Sequence, residues 1–348
     1  MQFGHFLFHT NMHPSKDAES VQNALAEARL AEALGYDALW FSEHHFSGEC
    51  GYSDALIMAT AVAMQTTRIP LGFAVLELAL HHPIRVAVQT SLLDNLSRGR
   101  LLVGLARGSA YSAFEFRGFG TSVEEGIART KEAEDLLIKA WTAEDGLEYN
   151  GEYWQVSFPR IRPRPYQKPH PPLFRAAMSQ SSIIEMGKIG RPVLLRGKGA
   201  REAGEQLTLY RDTMVSSGFN EESIEKTLDQ CWVWRDIYLS DTNEQAIEEF
   251  KPGFEHFEEV LRGLRAKWSP ADAPTSTRTV SMLRESIDDP VAASMIVGTV
   301  DDAKERFDEL RDAGVRNVMM THRGDVVTPD QGQRSMHLLA EKVFPSFK

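Results

Sequence analysis

Leu39-Trp40-Phe41-Ser42-Glu43-His44-His45-Phe46 is an apolar run that stops against an acid and two adjacent histidines. Asp37 to Phe41 has the character of a buried parallel strand, which reads as a continuous apolar run, and Ser47-Gly48-Glu49 leads away as a loop. Polar groups just past the carboxyl end of such a strand sit where open and closed α/β folds keep their chemistry. His44 and His45 are therefore the first candidates for function. The alternative is two loop histidines that face solvent or are satisfied by Glu43.

Outward from this stretch the same unit recurs. Before it, Phe3 to Phe8 reads as a strand, and Asp17 to Leu34 carries apolar residues at helical spacing that end at Gly35. After it come a helix from about Ser53 to Gln65, with Ser53 as a possible cap, and a third strand, Ile69 to Leu76. A helix from Ile84 to Asn95, a fourth strand from Leu101 to Ala106 and an amphipathic helix from Val123 to Trp141 continue the series. Residues 146–172 break it with a Tyr/Trp-bearing hairpin turning at Asn150-Gly151 and a proline-rich connector, an excursion rather than a domain boundary.

The alternation then resumes. Strands are expected at Pro172 to Ala177, Pro192 to Arg196, Asp229 to Leu239 and Arg316 to Thr321. The helices expected between and after them run from Ser182 to about Ile189, Ala200 to Ser217, Asn243 to Leu264, Val300 to Ala313 and Pro329 to Val343. Residues 266–293 lack periodicity and read as a long loop. Eight strands, each followed by a helix and with no linker dividing two halves, predict an α/β fold of the (β/α)8 TIM-barrel type, a single domain with insertions. A doubly wound open sheet is the competing architecture.

Composition bounds the function. The 348 residues carry 38 basic and 49 acidic side chains, a formal charge of −11, which argues against nonspecific binding to nucleic acid or an anionic membrane. No apolar run approaches the ~18 residues of a membrane span, and the amino terminus lacks the pattern of a signal peptide. Cys50 and Cys231 stand far apart, without metal or disulfide spacing, which fits a reducing, cytoplasmic setting.

In a barrel the loops after the strands converge on one face. They bring Glu43, His44 and His45, then Glu77, then Arg107, Ser109 and Tyr111, then Met178-Ser179-Gln180-Ser181-Ser182. A hydroxyl-rich turn opening a helix presents free backbone N–H groups at the positive end of a dipole, a natural anion site, and Arg107 is suited to the same anion. The plainer alternative has Ser179 and Ser182 capping the helix and Arg107 pairing with a carboxylate. Eleven histidines raise the question of a metal, but His44-His45 and His81-His82 each offer at most one inward ligand, and no His-x-His strand or helical His pair occurs. A Gly-x-Ser-x-Gly elbow and a dinucleotide-binding glycine pattern are missing as well. A phosphate-bearing cofactor at the barrel mouth, with a histidine beside it, is what remains.

The segments Trp40-Phe41-Ser42-Glu43-His44-His45-Phe46, His82-Pro83, Leu92-Leu93-Asp94-Asn95-Leu96-Ser97-Arg98-Gly99-Arg100, Gly104-Leu105-Ala106-Arg107-Gly108 and Val297-Gly298-Thr299 carry a resemblance over nearly the whole chain. The sequence resembles the bacterial luciferase-like family of flavin-dependent monooxygenases, and most of all its luciferase α-subunit type. The resemblance implies that reduced FMN (FMNH2), supplied by a separate flavin reductase, binds at the carboxyl face of the barrel and reacts with O2 at C4a to oxygenate a hydrophobic aldehyde, ketone or aromatic. It implies a catalytic His44 supported by Glu43 and His45. It further implies cofactor contacts from Ala74 and Val75, at a cis peptide beneath the ring, and from Ala106, Arg107, Ser109, Met178, Ser179 and Ser182. Arg107, Ser179 and Ser182 are the ones expected at the phosphate.

A mobile lid over residues 266–293 and a homodimer through the helices after strands two and three are also implied. Ala106 stands where the luciferase α subunit has a reactive cysteine, which argues against light emission. Pocket walls are expected from Phe8, Phe46, Tyr111 and the Trp232-Trp234 strand. A deazaflavin-dependent dehydrogenase on the same barrel and a noncatalytic flavin-binding relative are the alternatives.

Overall fold

The computed structural model describes residues 1–269, 295–322 and 324–348. Its strands are β1 Gln2–Leu7, β2 Ala38–Phe41, β3 Leu71–Phe73, β4 Leu76–Glu77, β5 Leu101–Ala106, β6 Leu147–Asn150, β7 Gln155–Phe158, β8 Leu173–Ala176, β9 Val193–Leu195, β10 Trp232–Leu239, β11 Met295–Gly298 and β12 Asn317–Thr321. Parallel pairing runs β1-β2-β3-β5-β8-β9-β10-β12, and β12 returns to β1 with Phe3 opposite Val318. The ring is therefore a closed (β/α)8 barrel, and the open-sheet alternative falls.

Alternation along the strands sorts the side chains. Phe6, Phe8, Trp40, Phe174, Leu194, Trp232 and Met319 fill the barrel interior, while Phe3, Leu7, Leu39 and Phe41 pack outward with the helices. The indole of Trp40 meets those of Trp232 at 5.4 Å and the ring of Phe174 at 5.5 Å, both edge to face. Two glycines make room for this cluster. A Cβ on Gly72 would lie 2.4 Å from Trp40 Cε3, and one on Gly4 would lie 2.8 Å from Trp232 Cζ3.

Several boundaries differ from the sequence reading. The third strand is interrupted: β3 and β4 are separated by Ala74 and Val75, whose peptide is cis. Asp54, not Ser53, caps the helix Ala55–Ala63 by accepting the N–H of Ile57 at 2.9 Å, while Ser53 sits at a φ of +53°. A helix Glu221–Leu228 precedes β10, so that strand starts at Trp232. Asn243–Trp268 is helical past Leu264 in spite of Pro252, so positions 266–268 close a helix with Ser269 as its C-cap, and 270–293 of the expected lid lie outside the described residues. Met295–Gly298 is an additional strand on β10, ahead of the helix Val300–Asp312 that Thr299 and Asp302 cap.

The Ser97-Arg98-Gly99-Arg100 segment proves structural. Arg98 and Gly99 take left-handed conformations at the turn, and the Arg100 guanidinium donates to the carbonyls of Ala63, Thr66 and Ile69 at 2.9–3.1 Å. β6 and β7 form the expected antiparallel hairpin. The connector behind it is tied to the helix Pro83–Leu96 where Gln167 donates its backbone N–H to Asp94 at 2.8 Å.

Candidate active site

The β2 stretch ends in a loop whose course is fixed by one hydroxyl. Tyr52 accepts the N–H of Ser42 at 2.9 Å and donates to the carbonyl of Leu7 at 2.5 Å, tying the ends of β1 and β2 together. From there the chain remains extended and the two histidines part. His44 lines a cleft of about 400 Å³ at the carboxyl ends of the strands, its ring stacked on Phe8 at 5.5 Å. His45 turns the other way, with Nε2 3.2 Å from Glu43 Oε1 and its ring against Phe119.

Glu43 organises the rear of the loop. Its buried carboxylate accepts from His45, from His81 Nε2 at 2.7 Å and from the backbone N–H of Glu77 at 2.7 Å. Burial alone would raise its pKa, but the bonds to His45 and His81 outweigh that and hold it down to about 2. His81 is raised in turn, because the Glu43 bond overcomes its own burial. His82 caps the next helix through Ile84 N–H. Glu43 and His45 thus brace the loop from behind, and neither lines the cleft.

His44 sits in a nest of acids. Its Nδ1 is 3.1 Å from Glu115 Oε1, and Glu49 and Glu77 are close by. Burial pulls its pKa down, but the three carboxylates dominate and lift it to about 10, so the ring is an imidazolium at neutral pH. Glu77 is pushed well above the usual carboxylate range by burial and by the neighbouring Glu115, against the pull of the His44 charge. One oxygen each of Glu77 and Glu115 is buried without a hydrogen-bond partner among the described residues.

The cleft walls are largely apolar: Phe6, Phe8, Ala74, Val75, Leu194, Trp234 and Met319, with Tyr111 and Met178 also lining it. Arg196 lies 3.8 Å above the Trp234 ring and pairs with Asp236 at 3.1 Å. Ser109 lines the cleft and caps the short turn Ala110–Ser112 through the N–H of Tyr111. Phe46 departs from expectation: at a φ of +67° it turns away and is exposed beside Gly118, Arg117 and Trp268. Trp232 belongs to the barrel interior rather than the pocket wall.

At the far end, Ser179 and Ser182 form a closed capping box on the helix Gln180–Ile189, so their hydroxyls do serve the helix end. The amides of Gln180 and Ser181 make no hydrogen bond among the described residues, which leaves two N–H groups at the positive helix terminus. Met178, just before them, lines the cleft. Arg107 follows Ala106 at the end of β5, is exposed, and has no ion-pair partner among the described residues. The sequence reading passed over Glu115, Arg196, and the pair of Glu49 and Arg265, which meet at 3.4 Å in the cleft lining. The one signal for Glu115 was an acid set between two aromatics, Phe114-Glu115-Phe116.

Barrels of this kind hold their ligands where the strands end, and the walls of this cleft suit a mostly apolar small molecule. The family model of luciferase-like monooxygenases matches residues 1–317, and the chain belongs to that family. The chain is 27% identical over 359 residues to 4-hydroxyprotoasukamycin monooxygenase of Streptomyces nodosus subsp. asukaensis, covering 100% of this chain and 92% of that one. It is 28% identical over 229 residues to the alkanal monooxygenase alpha chain of Photorhabdus laumondii subsp. laumondii, covering 66% of this chain. That match spans 63% of the alpha chain, and the match to the uncharacterized protein y4vJ of Sinorhizobium fredii spans 65% of its length, each short of two thirds. Among solved structures, a monooxygenase from Streptomyces bottropensis superposes with a TM-score of 0.81 at 25% identity, each chain covered to 100%. The oxygenating constituent of 3,6-diketocamphane monooxygenase from Pseudomonas putida, solved with FMN, gives 0.79 at 19% identity, covering 100% of this chain and 99% of that one, a likeness of fold.

Proposed function

We propose that this chain is the oxygenase component of a two-component flavin-dependent monooxygenase, using FMNH2 delivered by a separate flavin reductase and O2 to oxygenate a hydrophobic small molecule such as an aldehyde, ketone or aromatic. The observation that carries the reading is the His44 imidazolium, held by Glu115 on the wall of an apolar cleft at the carboxyl ends of the strands. Reduced FMN, when bound, supplies the electrons that activate O2. The chain's own part is to bind, shield and protonate.

Phe6, Phe8, Ala74, Val75 and Trp234 offer the apolar surface that covers a flat ring and keeps water out. Arg107 and the free amides at Gln180 and Ser181 suit the phosphate. Glu115 occupies Nδ1 of His44, so Nε2 is the nitrogen that donates a proton to a developing oxyanion and takes it back. A second copy of this chain is the proposed partner. Ile57 and Met64 beside one helix, and Val88, Leu92 and Leu96 at four-residue spacing on the next, form an exposed apolar stripe on the helices after the second and third strands.

The test combines the protein with FMN, a flavin reductase, NADH and isotopically labelled O2 against a panel of aldehydes, ketones and aromatics. Incorporation of one labelled oxygen atom into product is expected. Turnover with a deazaflavin and no oxygen uptake would instead favour hydride transfer, and flavin binding without turnover would favour the noncatalytic alternative. His44→Ala is expected to keep FMN affinity within about tenfold while lowering oxygenation by ~100-fold.

A further inference from the structure

A second cluster of titratable groups lies away from the His44 cleft, on the outer face of the barrel wall. His5 on β1 and His322, directly after β12, are both buried, with rings stacked 5.7 Å apart at 28° to each other. Glu27, on the helix Asp17–Ala33 that covers this wall, reaches the pair from the helix side, its Oε1 2.9 Å from His5 Nε2. Donor atoms of His5, Glu27 and His322 all lie within 4.8 Å of one another.

The hydrogen bonding of this group is incomplete in a particular way. Among the described residues, both ring nitrogens of His322 are buried without a partner, and those of His5 have none of hydrogen-bond geometry. Yet His5 Nε2 stands 2.9 Å from Glu27 Oε1, close in distance but off the line of a bond. Two groups that approach each other without pointing at each other are arranged like ligands of a third atom. Buried imidazoles that satisfy neither nitrogen are uncommon and ask for an explanation, an unseen ion among them.

We propose that His5, Glu27 and His322 bind a divalent transition-metal ion of the zinc type. Two imidazoles and one carboxylate form a donor set that suits zinc and its first-row neighbours, whereas calcium and magnesium take oxygen ligands. His9 supplies the outer support that such sites use, its Nδ1 lying 3.0 Å from the other oxygen of Glu27. A cleft of about 440 Å³ lined by His9, Asn11, Glu27, His322 and Asp325 gives the ion a way in and leaves space for a water in the remaining position. The ligands also have a structural meaning. β1 and β12 are the first and last strands of the barrel, paired with His5 opposite Met320, so an ion here bonds the two ends of the ring to each other and to the first helix.

The test uses full-length protein stripped with a chelator, titrated with Co2+ as a spectroscopic probe and then with Zn2+. A saturable visible absorption at one Co2+ per chain, displaced by one Zn2+, and a higher melting temperature with metal are expected. His322→Gln and Glu27→Gln are each expected to weaken Co2+ binding by ~100-fold or more. No saturable Co2+ band with the wild-type protein overturns the proposal, as does a band that persists unchanged in both variants. Should either variant fail to fold, the other decides, and a band lost in His44→Ala instead would place the ion in the cleft and overturn the proposal.

Discussion

Replacing Glu115 by Gln removes one charge from beside His44 while keeping the size of the side chain. The carboxylate is fully buried and 3.1 Å from Nδ1, so water cannot take its place. Losing a buried charge-assisted hydrogen bond amounts to about 1.5–3 kcal/mol, which weakens the hold of the ring on its proton roughly 10- to 100-fold. The ring itself is 22% exposed, which favours the lower end. The measurement is an NMR titration of the His44 ring, assigned against His44→Ala. Stability gives a second readout. The folded-state pKa of about 10 lies above the ordinary 6.5, so the contribution of His44 is fully present below pH 6.5 and disappears as pH rises through 10. Chemical denaturation of the wild type should therefore lose stability across that window, and Glu115→Gln should lose less. An unchanged titration midpoint together with an unchanged pH slope would refute the assignment of Glu115 as the group that charges His44.

Arg107→Ala should weaken FMN binding by about 1.5–3 kcal/mol in a fluorescence titration, and wild-type affinity would remove Arg107 from the phosphate site. Glu43→Gln leaves His45 and His81 without their buried anion and should destabilise the fold by about 3–5 kcal/mol in urea. The Glu43 pKa is depressed to about 2 from 4.5, so its contribution is present above pH 4.5 and vanishes as pH falls through 2, a dependence the variant should lack. Leu92→Asp, in the exposed stripe on the helix Pro83–Leu96, should convert a dimer to monomer in sedimentation velocity. An unchanged sedimentation coefficient would place the interface elsewhere.

The barrel was legible because parallel strands buried on both faces stand out as unbroken apolar runs, as Leu101 to Ala106 does, with its boundaries reproduced. Where local pattern competes with backbone geometry the reading slipped. The run from Ile69 to Leu76 reads as one strand but breaks at Ala74–Val75, although the resemblance implied the cis peptide there, and Ser53 sits at a left-handed φ beside the true cap, Asp54. At the site, His44 and His45 were legible from a strand ending in polar residues, and their division of labour follows from strand alternation. Glu115 was not, because it arrives on a short helix from a distant loop and acts only through proximity. The set of His5, Glu27 and His322 escaped for the same reason: its members are dispersed over the chain in no recognisable spacing.

The two indoles that fill the barrel, pressed against backbone at Gly4 and Gly72, leave no slack beneath the mouth. A variant library aimed at new substrates should leave Trp40, Trp232 and their paired glycines untouched, because enlarging any one of them demands shrinking another in the same step. Diversity introduced instead at Tyr111, Met178 and Leu194 alters what enters from above while the plug below keeps its shape.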